Sequence, residues 1–248
     1  MPELAAEGQI KNLAIEGDIS ISSSLDQITT IGIFAGKNFG TITNCINKVN
    51  LAYSYSTNLT QLGGIAGENS GTIIYCRNMG ALEANTTNLG GIAGVNSSSI
   101  DQCYNGTGGD LTLSADKSCG GIAGTNAGSL TRCYSNGNTI SGSSSAYFAG
   151  IVGFNTGYIC ATYSASTVAS GYGVVSMNTN SGYISYSYYK DDTALGVYKD
   201  NYSSSGGITD SESYSSADTL IYNLNKAYSP DYWSYVPSNV ILKNITEY

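Results

Sequence analysis

The chain has 248 residues, room for one large domain or two small ones, and its 41% apolar content is enough to build a core. Only 11% of residues are charged and the net charge is −8, with ten Lys and Arg spread thinly, so there is no electrostatic footprint for nucleic acid or for an anionic membrane. The chain has no histidine, which excludes a Ser-His-Asp triad, a Cys-His pair and a His-Glu-x-x-His zinc site; no apolar run is long enough to insert into a bilayer.

The first 30 residues lack the basic-then-apolar order of a secretory signal. Gly8-Gln9-Ile10-Lys11-Asn12-Leu13 matches the second half of a later unit, Gly40-Thr41-Ile42-Thr43-Asn44-Cys45. Residues 1–30 are therefore read as a partial repeat, and the chain as a piece of a longer surface protein.

Residues 31–189 carry the repetition itself. Leu62-Gly63-Gly64-Ile65-Ala66-Gly67-Glu68-Asn69-Ser70-Gly71-Thr72-Ile73 returns at Leu89 to Asn96 and at Cys119 to Leu130, with looser copies at Ile31 to Ile42 and Phe148 to Ile159 and a degraded one at Val175 to Ile184. With Asn38, Asn69, Asn96, Asn126, Asn155 and Asn180 as markers, the spacings are 31, 27, 30, 29 and 25 residues. Within a unit, three short apolar stretches are separated by turn residues. Each is too short for a helix, and the Gly and Asn clusters are expected to supply positive φ at the corners. The framework positions are Gly67, Asn69, Gly71, Gly94, Asn96, Gly124, Asn126, Gly128, Gly153, Asn155 and Gly157. All three prolines lie outside these units, as expected where every repeat backbone donates hydrogen bonds to its neighbours. A unit of this kind cannot bury its apolar side alone and must stack on copies of itself.

Two slots define the interior. Ile42, Ile73, Ile100, Leu130, Ile159 and Ile184 must face inward, and three residues later come Cys45, Cys76, Cys103 and Cys133, then Thr162 and Ser187. The intervening slot (Asn44, Tyr75, Gln102, Arg132, Ala161, Tyr186) is too polar for a dry interior, so a bend is placed there that points both flanking residues inward. The cysteines are read as free, buried thiols. Tyr104, Tyr134, Tyr163 and Tyr188 follow them and are expected to form an outward or rim ladder.

The run Gly-Gly-Ile-Ala-Gly-x-Asn-x-Gly-x-Ile, followed by a Cys-Tyr step, resembles the GLUG repeat of bacterial surface proteins, which also occurs beside the catalytic domain of some immunoglobulin A-specific metallopeptidases. The resemblance covers residues 8–189. It implies an accessory repeat outside the bacterial cell, at the surface or secreted, and says little about activity. Two departures, Ser98 for the second Gly of its unit and the lost Gly-Gly pair of the last unit, are expected to loosen corners only.

Residues 190–215 are read as a Ser/Tyr-rich connection and 216–248 as a cap. Ala217, Leu220, Ile221, Leu224 and Ala227 have helical spacing behind Ser216 as N-cap, and Trp233, Val236, Val240, Ile241 and Leu242 would complete an apolar lid. The expected fold is all-β: a single-stranded parallel β-helix of about six coils with a C-terminal helical cap.

For chemistry, two convergent acids would suffice for glycoside hydrolysis. Asp101, Asp110, Asp116, Asp191 and Asp192 are the candidates, and none recurs at a slot that pairs two acids on adjacent coils. No metal or cofactor is expected: there is no Cys-x-x-Cys pair, and the turns carry Asn where a calcium turn wants Asp. Asn there is read as a turn former or a stacked amide ladder. Of the 21 tyrosines, Tyr183, Tyr186, Tyr188 and Tyr189 are the candidate contact residues for a glycan or an extracellular protein; packing as cross-rung ladders is the equal alternative. The functional expectation is a non-catalytic stalk or adhesin-like module, with a polysaccharide-cleaving β-helix as the rival.

Overall fold

The computed structural model describes residues 2–22, 29–55, 59–114, 117–142, 147–169, 171–179 and 181–190, and the backbone strands 195–200, 211–214, 233–236 and 239–242. It is an all-β parallel solenoid of about six coils. Successive coils add strands to three sheets of 13, 7 and 10 strands, here called A, B and C. One coil supplies Gln61–Gly63 and Ala66–Asn69 to sheet A, Thr72–Ile74 to sheet B, and Arg77–Asn78 with Leu82–Ala84 to sheet C. The three stretches read from sequence are thus five strands. The repeat slots stay in register: Ile73 pairs with Ile42 on one side and Ile100 on the other, and Asn96 with Asn69 and Asn126.

The bend inferred between the Ile and Cys slots exists, and its cause differs from the expectation for corners. Among the described non-glycine residues, positive φ falls on Asn12, Asn44, Tyr75, Gln102, Arg132, Ala161 and Tyr186, one per coil, and of the glycines only Gly17, Gly108, Gly137 and Gly142 adopt it, none of them a framework position. A left-handed residue with a side chain is costly, and each coil offsets that locally. The N–H of the bent residue donates to a carbonyl of the next coil, as in Asn44 to Ile74 (3.0 Å), Gln102 to Thr131 (3.1 Å) and Arg132 to Cys160 (3.0 Å). The turn places Ile42 and Cys45, Ile73 and Cys76, and Ile100 and Cys103 on the same inward side, all fully buried.

The glycines serve close approach instead. A Cβ on Gly91 would lie 2.3 Å from the Gly121 carbonyl oxygen and 2.6 Å from Cγ of Asn105 on the opposite wall. Sheets A and C therefore touch across the middle of each coil. This pinch divides the interior into two apolar rods: Ile65, Ala66, Ile73 and Cys76 with their equivalents in one, Leu62, Leu82 and Ala84 with theirs in the other. Each buried aliphatic side chain contributes about 1.5–3 kcal/mol.

Two ladders of buried amides run along the coils. Asn38, Asn69, Asn96, Asn126, Asn155 and Asn178 are fully buried, and each Nδ2 donates to the Oδ1 of the next at 2.7–2.8 Å. The marker of the last unit is therefore Asn178, not Asn180, which lies outside the described residues. Two extra residues before Gly182 misplace it by eye, and Nδ2 of Asn178 still reaches the Gly182 carbonyl at 2.9 Å. The second ladder, Asn47 to Asn78 (2.6 Å) to Asn105 (2.8 Å), lines the pinch.

At the N-terminal end, residues 3–21 supply strands to all three sheets. The segment read as a connection carries Leu195–Asp200 and Ser211–Tyr214, which extend sheets A and C. The helix read over 216–227 lies outside the described residues. Trp233–Val236 and Asn239–Leu242 form an antiparallel hairpin.

Candidate functional site

The cysteines are resolved by their partners. All six are buried and free. In the repeat slot, each Sγ donates back across the left-handed corner to the carbonyl two residues earlier: Cys45 to Thr43 (3.4 Å), Cys76 to Ile74 (3.4 Å), Cys103 to Asp101 (3.2 Å), Cys133 to Thr131 (3.1 Å). Ser187 Oγ does the same to Ser185 (2.9 Å), and Thr162 Oγ1 donates to Ser187 Oγ at 3.0 Å. The slot thus asks for a small side chain that can donate, and thiol and hydroxyl both qualify. Burial pushes the Cys103 and Cys119 thiols well above the ordinary range, which leaves them unreactive.

The tyrosine column after the cysteines is a ladder, but a buried one. Tyr104 stacks on Tyr134 with centroids 4.7 Å apart, and Tyr134 on Tyr163 at 5.3 Å. Tyr104, Tyr134, Tyr163 and Tyr188 are all at most 5% exposed. The expected rim ladder is corrected accordingly. The bend turns Cys inward, and the following residue lies in the angle between sheets B and C instead of on an open face.

The four candidate contact tyrosines do not form one surface. Tyr183 is exposed on sheet B and stacks on Tyr158 at 5.4 Å with a 4° interplanar angle. Tyr186 is a half-buried corner residue with φ 47°. Tyr188 is buried in its column, and Tyr189 packs against the first apolar rod. Tyr158 belongs with Tyr183, because strand pairing places them side by side. Burial pushes its hydroxyl up to about 12. Across the Asn155 corner, Tyr147 and Phe154 meet on sheet A with centroids 6.3 Å apart. The exposed aromatics of the last coils thus flank a single edge. Towards the N-terminus, the Tyr158 column continues as Ser129, Ser99, Thr72 and Thr41.

The acids are mostly accounted for by structure. Asp101 is paired with Arg132, accepting from Nε at 2.8 Å and from Nη2, and it also accepts from Thr131 Oγ1 (2.7 Å). Asp110 accepts from the Thr139 N–H at 2.6 Å in the next coil. Asp116, Asp191 and Asp192 lie outside the described residues. Two acids outside the repeat slots, Asp18 and Glu83, border an open hollow of about 240 Å³ on sheet C beside Ser20, Asn50, Ala52 and Ala81. Small residues at Ala52 and Ala81 create the hollow, a signal visible only once the register is known. No group of three or more Cys, Asp and Glu among the described residues could hold a metal ion.

Stacked coils, paired ladders and mixed outer faces define this chain as a parallel β-solenoid repeat protein. It is similar in fold to the solved structure of a candidate immunoglobulin A1 protease from Bacteroides ovatus, with a TM-score of 0.63 and 20% sequence identity over 97% of this chain and 76% of that one. The sequence matches no protein-family model and no curated protein.

Proposed function

We propose that the chain is a non-catalytic repeat module displayed outside a bacterial cell, of the GLUG kind, acting as a stalk that carries a contact surface for a glycan or an extracellular protein. The observation that carries this reading is the edge of the last coils, where exposed Tyr158 and Tyr183 stand on one side and exposed Tyr147, against a half-buried Phe154, on the other. Aromatic side chains held on rigid strands give large contact area at little entropic cost. The bacterial, surface-directed setting is supported by the repeat motif and by the solenoid of the Bacteroides ovatus protein. Thiols enclosed in the core fit an exported protein, since they need no partner to escape oxidation.

A second reading, glycoside cleavage, draws on the hollow bordered by Asp18 and Glu83. A glycan and host-matrix array, with reducing-sugar release measured in the same wells, separates the two. Retention without new reducing ends, lost in a Tyr158→Ala/Tyr183→Ala double variant, is the expected result. Turnover abolished by Asp18→Asn or Glu83→Gln would replace the binding module with an enzyme.

A further inference from the structure

The tyrosine stack on sheet B stops abruptly. Strand pairing sets Ser129, Tyr158 and Tyr183 side by side on three successive coils. Tyr183 covers one face of the Tyr158 ring, with centroids 5.4 Å apart and planes 4° from parallel. The other face turns toward Ser129, whose side chain is too short to cover it, and Tyr158 remains 39% exposed. Its hydroxyl lies against Cys160 on its own strand and Ser185 on the following coil, so the ring is held at both ends and leans away from the Ser129 coil.

The coil that meets this face leaves it clear. Its two neighbouring longer side chains turn the other way: Thr131 Oγ1 donates to Asp101 at 2.7 Å and Arg132 Nε at 2.8 Å, so both reach back to the preceding coil. What lies before Tyr158 is a strip of short hydroxyls, Ser129, Ser99, Thr72 and Thr41, each half-buried. None of these four hydroxyls makes a side-chain hydrogen bond to another described residue. An aromatic wall therefore rises from a polar floor, in a step one coil deep, about 4.8 Å.

Resting on the contact-surface reading above, we propose that this step seats one neutral hexopyranose of the galactose type: its C–H face stacks on the free face of Tyr158 while hydroxyls on its edge exchange hydrogen bonds with Ser129. A pyranose carries both an apolar face and a hydroxyl rim, and each meets its match here. A protein surface would serve the ring but leave the hydroxyl strip without partners, at a cost for every group it dries. The axial C4 hydroxyl of galactose leaves the hydrogens on C3, C4 and C5 together on the opposite face, which suits a seat that offers one ring face only. An acidic sugar gains nothing, because the Arg132 guanidinium of that coil is already paired with Asp101 and the chain carries a net charge of −8.

The test is saturation-transfer NMR of the full chain with lactose, with cellobiose, which differs from lactose only in the configuration at C4 of the terminal ring, and with digalacturonate. Transfer is expected to be strongest to the C3, C4 and C5 hydrogens of the galactosyl ring, and weaker throughout for the other two sugars. Tyr158→Leu, which keeps apolar bulk but loses the ring, should bind lactose about tenfold more weakly, and Ser129→Ala about fivefold more weakly. Tyr158→Phe and Tyr183→Ala should stay within about threefold of the parent, because the free ring face survives in both; circular dichroism verifies the fold of each variant. Equal transfer to cellobiose, binding unchanged in Tyr158→Leu, a loss in Tyr183→Ala as large as in Tyr158→Leu, or no transfer to lactose overturns the proposal. The glycan and host-matrix array separates the two failures. If it still retains a different glycan or a matrix protein, lost in the Tyr158→Ala/Tyr183→Ala double variant, only this inference fails; a blank array removes the contact-surface reading as well.

Discussion

Replacing Asn96 with Ala removes the centre of the longer amide ladder. Asn96 is fully buried, accepts from Asn69 Nδ2 at 2.8 Å and donates to Asn126 Oδ1 at 2.8 Å, with a further contact to the Ser129 carbonyl at 3.2 Å. The substitution forfeits two good side-chain hydrogen bonds, about 1 kcal/mol each. It also strands Asn126 Oδ1 and one N–H of Asn69 where water does not reach, about 1–3 kcal/mol for each stranded group. An expected loss of about 4–8 kcal/mol is a large part of a typical domain's stability. Asn50→Ala is the matched control: it also loses two hydrogen bonds, to Asp18 (2.9 Å) and from the Ala81 N–H (3.0 Å), but both are exposed and water replaces them, so about 0.5–1 kcal/mol is expected. Urea titration followed by far-ultraviolet circular dichroism reads both. Equal midpoints for the two variants, or a loss below about 1.5 kcal/mol for Asn96→Ala, would show that the ladder is not a principal source of stability.

Gly91→Ala drives a methyl into the Gly121 carbonyl and Asn105, and should leave the chain in the insoluble fraction or without its β signal. Cys103→Ser keeps the donor to the Asp101 carbonyl and should stay within about 1 kcal/mol of the parent, whereas Cys103→Val should cost about 2 kcal/mol by chemical denaturation, because the slot loses its hydrogen bond. In the native protein a disulfide-exchange reagent should label Cys103 and Cys119 slowly even at mildly alkaline pH, with full labelling in denaturant; rapid native labelling would refute their enclosure. Tyr158, whose folded value of about 12 lies above the ordinary 10, stabilises the fold fully below pH 10; that contribution disappears as pH rises towards 12, and tyrosinate absorbance of Tyr158→Phe against the parent measures it.

Much of this architecture is written in the repeat itself. The Ile and Cys slots and the bend between them follow from one contradiction: strict alternation would have sent polar side chains such as Arg132 and Gln102 into the core. The role of glycine is harder to read, because a glycine kept for positive φ and one kept for close approach look alike in a sequence, and only the opposite wall at Asn105 tells them apart. The burial of the tyrosine column is hidden from the sequence for a related reason. Outward on a single coil does not mean exposed when two sheets meet at an angle. Tyr158 and Tyr183 were separable from Tyr188 and Tyr189 only by register, and the hollow at Asp18 and Glu83 joins three coils through residues that share no motif.

The amide ladders also have a direction. Every described link in both runs from the Nδ2 of one coil to the Oδ1 of the following coil, never the reverse. The stack of amide dipoles is therefore oriented along the axis, and each member polarises its neighbours in the same sense. Asn is the one side chain of its size that can both receive from below and give upward. An Asp in any of these places would accept from the preceding coil and meet the next carbonyl with a second acceptor, so a single oxygen-for-nitrogen exchange would break transmission at that rung while leaving its shape untouched. The solenoid is thus a polar filament in the vectorial sense, with two chemically distinct ends, and a partner that continues it must match the sense of the ladder as well as the outline of the coil.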